Sequence, residues 1–178
     1  MYDLAHLRGL GIVQFPDAIL KQPSLPVEDF GSETRLLVQR MFDVCRAAPG
    51  AGLAAVQLGE LKRIFVADIS RRRGDFEPIA FINPEIELAG SETVKADEGC
   101  LSFPNVWLPV ARSAELNVRY FDLEGNRKEA RCKELLSLVV QHEYDHLNGI
   151  SIIDRVSKLR RDVAVRKIKR ALQEQSAA

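Results

Sequence analysis

Lys133-Glu134-Leu135-Leu136-Ser137-Leu138-Val139-Val140-Gln141-His142-Glu143-Tyr144-Asp145-His146-Leu147-Asn148 is the stretch on which the fold of this chain turns. Leu135, Leu136, Leu138, Val139 and Val140 leave its first half almost without a polar face, and a helix apolar nearly all round belongs in an interior. Asn148-Gly149 ends it, because both residue types accept the left-handed backbone that closes helices. The second half carries His-Glu-x-x-His. At the helical repeat, His142 and His146 share one face a turn apart, so both imidazoles can grip one ion while Glu143 stands beside it as a base for water. On a helix this pattern signals metal-assisted hydrolysis. A catalytic ion of this kind takes a third protein ligand and keeps one position open.

The third ligand is not a histidine of the familiar protease patterns. His6, the remaining histidine, lies near the N-terminus. The metzincin extension H-E-x-x-H-x-x-G-x-x-H runs as far as Gly149 and then meets Ile152, which cannot bind metal. A downstream glutamate, as in thermolysin-type sites, could come only from Glu174, close to the C-terminal end. A cysteine or an upstream acid remains. Cys45 sits among apolar residues of a predicted helix and reads as core. Cys132 is ten residues from His142, about 15 Å along a helix, too far for the same ion. Cys100, in Glu98-Gly99-Cys100-Leu101-Ser102-Phe103-Pro104, lies on a loop or strand end that can approach the helix from outside. It is the best candidate, and as a thiolate would complete a Cys-His-His set.

Composition frames the rest. A length of 178 residues fits a single domain over 1–178 with a substantial core. Basic and acidic residues balance at 25 each, so whole-chain charge implies no DNA or other polyanionic partner. Three scattered cysteines argue against a disulfide framework and for a reducing, cytoplasmic-type compartment. No run approaches membrane-spanning length, and Met1 to Val13 lacks the features of a secretory signal.

Along the chain, Pro16, Pro23 and Pro26 make the first thirty residues read as an extended arm with turns. A helix capped at Gly31 or Ser32 runs to about Ala48, stopped by Pro49-Gly50. Strands are predicted at Arg63 to Ile69 and Ile79 to Leu88, the latter interrupted at Asn83-Pro84, with a hairpin of Leu116 to Phe121 and Arg127 to Arg131. After Ser157, a plausible N-cap, a terminal helix is expected to dock by its first half through Val156, Leu159 and Val163. The order predicts an α+β fold: mostly antiparallel β-sheets around a buried central helix carrying His-Glu-x-x-His, with a C-terminal helix.

Gly50-Ala51-Gly52-Leu53-Ala54-Ala55-Val56-Gln57 adds a further candidate. It matches G-x-G-x-x-A, but a helix precedes it and a strand follows, the reverse of a dinucleotide site. Its small residues let backbone approach something closely. Gln57 could donate to a developing oxyanion, or could sit on the surface of a packing turn.

Gly50 to Gln57, Glu98 to Ser102 and Gln141 to Leu147 together resemble the three motifs of peptide deformylases, in the family's order and with similar separations. The likeness extends from about Val13 to the terminal helix. It implies a metal-dependent hydrolase that removes the N-formyl group from the initiator methionine of nascent polypeptides. It implies Cys100, His142 and His146 as metal ligands, with Fe2+ expected and Zn2+, Ni2+ or Co2+ possible. Glu143 would take a proton from the attacking water and deliver it to the leaving amine. The Gln57 side chain and the Leu101 backbone N–H would hold the oxyanion, and Gly52 would pair with substrate backbone. A methionine pocket would be lined by Leu135, Leu138 and Val139. Ala51 stands where the family usually has Ile or Val, and would reshape that pocket. Trp107 would form a pocket rim or plug the core. Arg112 would pair with an acid such as Asp145, or stand as a solvated surface charge. From Asp154 onward eight basic residues face three acidic ones, which implies either a solvated helix face or a ribosome contact. A metallopeptidase and an inactive, metal-stabilised binding protein are the competing functions.

Overall fold

In the computed structural model, which describes residues 4–176, helix α1 (Leu4–Gly9) and a 3-10 turn (Ala18–Lys21) lead into helix α2 (Ser32–Ala47). Strand β1 (Gly52–Ala54) passes through a 3-10 turn (Ala55–Leu58) to β2 (Ile64–Ala67) and β3 (Ile79–Leu88). A ribbon of β4 (Thr93–Cys100) and β5 (Phe103–Ser113) follows, then β6 (Glu115–Phe121) and β7 (Arg127–Lys133). Helix α3 (Glu134–Leu147), a 3-10 turn (Ile152–Asp154) and helix α4 (Lys158–Ser176) complete the described chain. The strands make a five-stranded sheet in the order β1-β2-β3-β6-β7 and a separate two-stranded sheet, all neighbours antiparallel. Among the described residues no helix is long and apolar enough to cross a membrane.

Period-two alternation on β2 places the sheet between two helices. Ile64 and Val66 join α2 in one core, whereas Phe65 and Ala67 join Val139, Val140 and Leu147 of α3 in the other. All four residues are therefore buried, which matches an unbroken apolar run. At full burial the three larger of them, Ile64, Phe65 and Val66, each contribute about 1.5–3 kcal/mol. The expected α+β fold around α3 is present. Leu135, Leu136 and Leu138 are only partly buried, and Leu135 and Leu138 border a cleft. In β3 the expected break at Asn83-Pro84 is a register shift between Ile82 and Glu85. Asn83, at φ 49°, uses its side-chain amide to receive and donate hydrogen bonds with the Val27 backbone, both at 2.8 Å.

Two expectations need correction, and a third is narrowed. The opening segment is not simply an extended arm: α1 forms, and Leu7 and Ile12 are buried with α2, so apolar burial prevails over the nearby prolines. Residues 1–3 of that segment lie outside the described residues. Of the two settings expected for Cys100, loop or strand end, the structure has the strand end: the residue closes β4 of a long ribbon, β4–β5, whose prolines 104 and 109 obscured its alternation. In a two-stranded sheet only one edge of each strand is paired, so a proline can face outward without breaking the ladder. Helix α4 does not dock through Leu159 and Val163, nor by its first half alone. Leu159 and Val163 are exposed, while Ala164 and Ile168, a turn apart, are buried against Phe103, Val106 and Ile152. Val156 does pack beside them, ahead of the helix. The side chain of Glu174 lies outside the described residues.

Candidate active site

The cleft lies where β1, the ribbon and α3 meet. Cys100 ends β4, followed by a two-residue turn, Leu101-Ser102, that pairs Cys100 with Phe103. From there its sulfur stands 3.2 Å from His146 Nε2. The histidine rings lie edge to face, with centroids 5.1 Å apart. One ligand-type atom from each of Cys100, His142 and His146 falls within 4.8 Å of the others. These are a soft thiol and two imidazoles, a donor set suited to a divalent transition ion. Cys45 and Cys132 lie in the core outside this group, and burial pushes their thiols up to about 12 and about 11.

Glu143 is 4% exposed, and its Oε2 has no hydrogen-bond partner, so a buried carboxyl oxygen stands unengaged beside the group. Burial, reinforced by the charge of Glu98, raises its pKa to about 7 against the opposing pull of His142 and Arg112. Burial lowers both imidazoles. For His142 the Cys100 sulfur and the Glu98 carboxylate reverse the effect and hold it well above the ordinary value. His146 stays well below, and its buried Nδ1 has no partner.

Gln57 is buried at 2% exposure and is not a surface residue of a turn. Its Oε1 accepts from the Ala54 N–H at 2.8 Å, which leaves Nε2 to face Ser102 Oγ at 3.2 Å and the Cys100 sulfur at 3.7 Å. The amide is thereby oriented with its donor toward the sulfur. Gly52 has no room for a side chain: an added Cβ would lie 2.6 Å from Glu143 Oε1. Ala51, Gly52, Leu135, Leu138 and Val139 border a cavity of about 300 Å³ together with Gln57, Cys100, Leu101, His142 and Glu143. Trp107 is on its rim, 56% exposed, with its ring against Gly99.

The expected pairing of Arg112 with Asp145 is present at 2.6 Å. Sequence reasoning gave Glu98 no part, yet its Oε2 lies 2.9 Å from His142 Nδ1, and Arg112 grips both its oxygens at 2.8 and 2.9 Å. Burial alone would raise this carboxyl, but the hydrogen bonds from Arg112 and His142 bring it down to about 2. A signal was available. Glu98 is two residues before Cys100, so on a strand both side chains share a face.

Fold and cleft together are those of a hydrolase with His-Glu-x-x-His on a buried helix. The family model for polypeptide deformylase matches residues 10–162. Peptide deformylase 1 of Rickettsia conorii is 45% identical over 90% of this chain and 95% of its own length. A peptide deformylase structure from Ehrlichia chaffeensis superposes with a TM-score of 0.87 at 36% identity, covering 93% of this chain and 97% of that one. Another from the same organism, in complex with actinonin, gives 0.85 at 38% identity over 90% and 96% of the two chains. The chain belongs to the polypeptide deformylase family and is an enzyme of the hydrolase class.

Proposed function

We propose that this chain releases formate from the N-formylmethionyl end of newly made polypeptides. One observation carries the reading: Cys100, His142 and His146 converge beside a buried, half-unpartnered Glu143 at the floor of a cleft. Those three residues would hold a divalent ion, Fe2+ by expectation with Zn2+, Ni2+ or Co2+ as substitutes, which would supply Lewis acidity to acidify water and polarise a carbonyl. Glu143 takes the proton of the attacking water, whose oxygen bonds to the formyl carbon. It then delivers that proton to the amine as the C–N bond breaks. General acid–base help of this kind is worth about 10²–10⁴-fold. Gln57 Nε2, aimed by its bond from Ala54, and the Leu101 backbone N–H stabilise the oxyanion, each such donor typically contributing about 3–4 kcal/mol. Gly52 offers backbone to the peptide, and Ala51, Leu138 and Val139 receive the methionine side chain.

The test pairs substrate choice with one substitution. Formate should appear from formyl-Met-Ala-Ser and no cleavage from the acetylated or free peptide; ordinary peptide-bond cleavage would favour the metallopeptidase instead. Glu143→Ala should keep its metal and lose nearly all turnover, and near-normal deformylation by that variant would refute the assigned base.

The same substrate places the enzyme beside ribosomes, in a cytoplasm or an organelle matrix. Arg160, Arg166 and Lys169 of α4 are exposed and available for phosphate contacts. Because Ala164 and Ile168 are buried, charge reversal at those three positions is a cleaner test than deleting the helix. Unchanged ribosome co-sedimentation would remove this partner.

A further inference from the structure

On a different side of α3 a second cavity, of about 570 Å³, is bordered by Arg112, Tyr144, Asp145 and Arg155. From it, charges of alternating sign lead inward. Arg155 donates to the Asp145 carboxylate through Nε, at 2.9 Å, and through Nη2. Arg112 donates Nη1 to the same carboxylate at 2.6 Å and turns its other nitrogens onto Glu98, which meets His142 Nδ1. Side-chain exposure falls from 43% at Arg155 to 6% at Asp145 and 4% at Arg112, so the run starts in solvent and ends in the interior.

We infer that Arg155 is a positioning residue for the candidate metal centre, acting on His142 through Asp145, Arg112 and Glu98. The inference rests on reading Cys100, His142 and His146 as ligands. Arg112 is one guanidinium shared between two buried carboxylates. Arg155 satisfies Asp145 from the other side, which leaves Arg112 free to keep a two-pronged grip on Glu98. A carboxylate held in that way accepts from Nδ1 of His142 and presents the Nε2 lone pair to the ligand group; such outer partners fix the tautomer and ring orientation of metal-binding histidines. Two cations and two carboxylates also cancel. Removing Arg155 leaves one uncompensated negative charge and an Asp145 oxygen without a donor, in a setting where unpaired charge is costly. Arg112 is then drawn toward Asp145, Glu98 loses its anchor, and the His142 ring with it.

The experiment compares the Co2+-loaded parent with Arg155→Ala and Arg155→Lys. It reads the cobalt absorption bands, the rate of ion release to an excess of chelator, and the melting of each metal-free protein. Arg155 is partly exposed and touches none of the ligands, so the alanine variant should fold. Its ion should leave about tenfold faster, the range outer-shell substitutions reach, with displaced bands and partial rescue by lysine. A role in packing alone would lower the metal-free melting temperature and leave bands and release at parental values, which overturns the inference. A parent that takes up no Co2+ would instead overturn the ligand reading and this inference with it.

Discussion

Gly52→Ala tests whether Glu143 must stand where it does. The added methyl would sit 2.6 Å from Glu143 Oε1 and 2.8 Å from both Glu143 Cγ and Val139 Cγ1. Non-bonded carbons settle at about 3.5–4.0 Å, so Glu143 has to withdraw by roughly 0.7 Å or more. It has little freedom to do so, being 4% exposed on a helix packed against β1 and β2. Overpacking of this kind costs about 1–3 kcal/mol of stability. A reacting group displaced by about 1 Å costs on the order of 10²-fold in rate. The expected result is a fall in kcat/KM for formyl-Met-Ala-Ser of about 10²-fold, or ~2.7 kcal/mol, carried mainly by kcat. Formate release through a coupled dehydrogenase measures it, with metal content determined on the same samples. Gly74→Ala is the control, since an added Cβ there meets nothing within 4 Å. A Gly52→Ala protein with full metal and parental kcat/KM would refute the claim that Glu143 acts from this position.

Further outcomes concern pH, the rim and a tight turn. In the ion-free protein the Glu143 carboxyl titrates at about 7 against an ordinary 4.5, so the folded state keeps a proton that the unfolded state has already released. That contribution is complete below the unfolded value and is lost as pH rises through the window to about 7, a change of at most about 3 kcal/mol. Urea midpoints of the parent should therefore fall across that window relative to Glu143→Gln; parallel profiles would show that the carboxyl is not so buried. Trp107→Ala removes a largely exposed ring at the cleft rim, and KM should rise roughly fivefold, about 1 kcal/mol of contact, with kcat unchanged. An unaltered KM would place the peptide elsewhere. Gly149→Ala, at φ +68° and with its new methyl against the Lys21 carbonyl, should lower stability by about 3 kcal/mol. A melting temperature within a degree of the parent would contradict that packing.

What the sequence disclosed follows from how each signal is carried. Helix α3 was legible because its apolar run and its two histidines share one short segment, and its expected bounds miss the observed ones by a single residue at each end. Cys100 was found by eliminating Cys45 and Cys132, and the structure brings its sulfur to the histidines while leaving the other two in the core. The ribbon was hidden because β4 carries Lys95, Asp97 and Glu98, and β5 carries two prolines, so neither shows simple alternation. Docking of α4 was misassigned because Ala164, a small residue, marks the buried side while the larger Leu159 and Val163 face outward. For Glu98 the strand period reports only that it shares a face with Cys100; its contacts with Arg112 and His142, like the contact of Arg155 with Asp145, join different elements, and no local period reports such pairing.

β1 closes one end of the five-stranded sheet and borders the cleft. A guest lying along such a margin is recognised by its amides, which every protein shares, and alternate side chains are free to hang outward. Under the proposed function, discrimination would then concentrate in the apolar side of the cleft at Ala51, Leu138 and Val139, which needs to know just one residue. A catalyst so built could process an entire proteome without being taught any of its sequences.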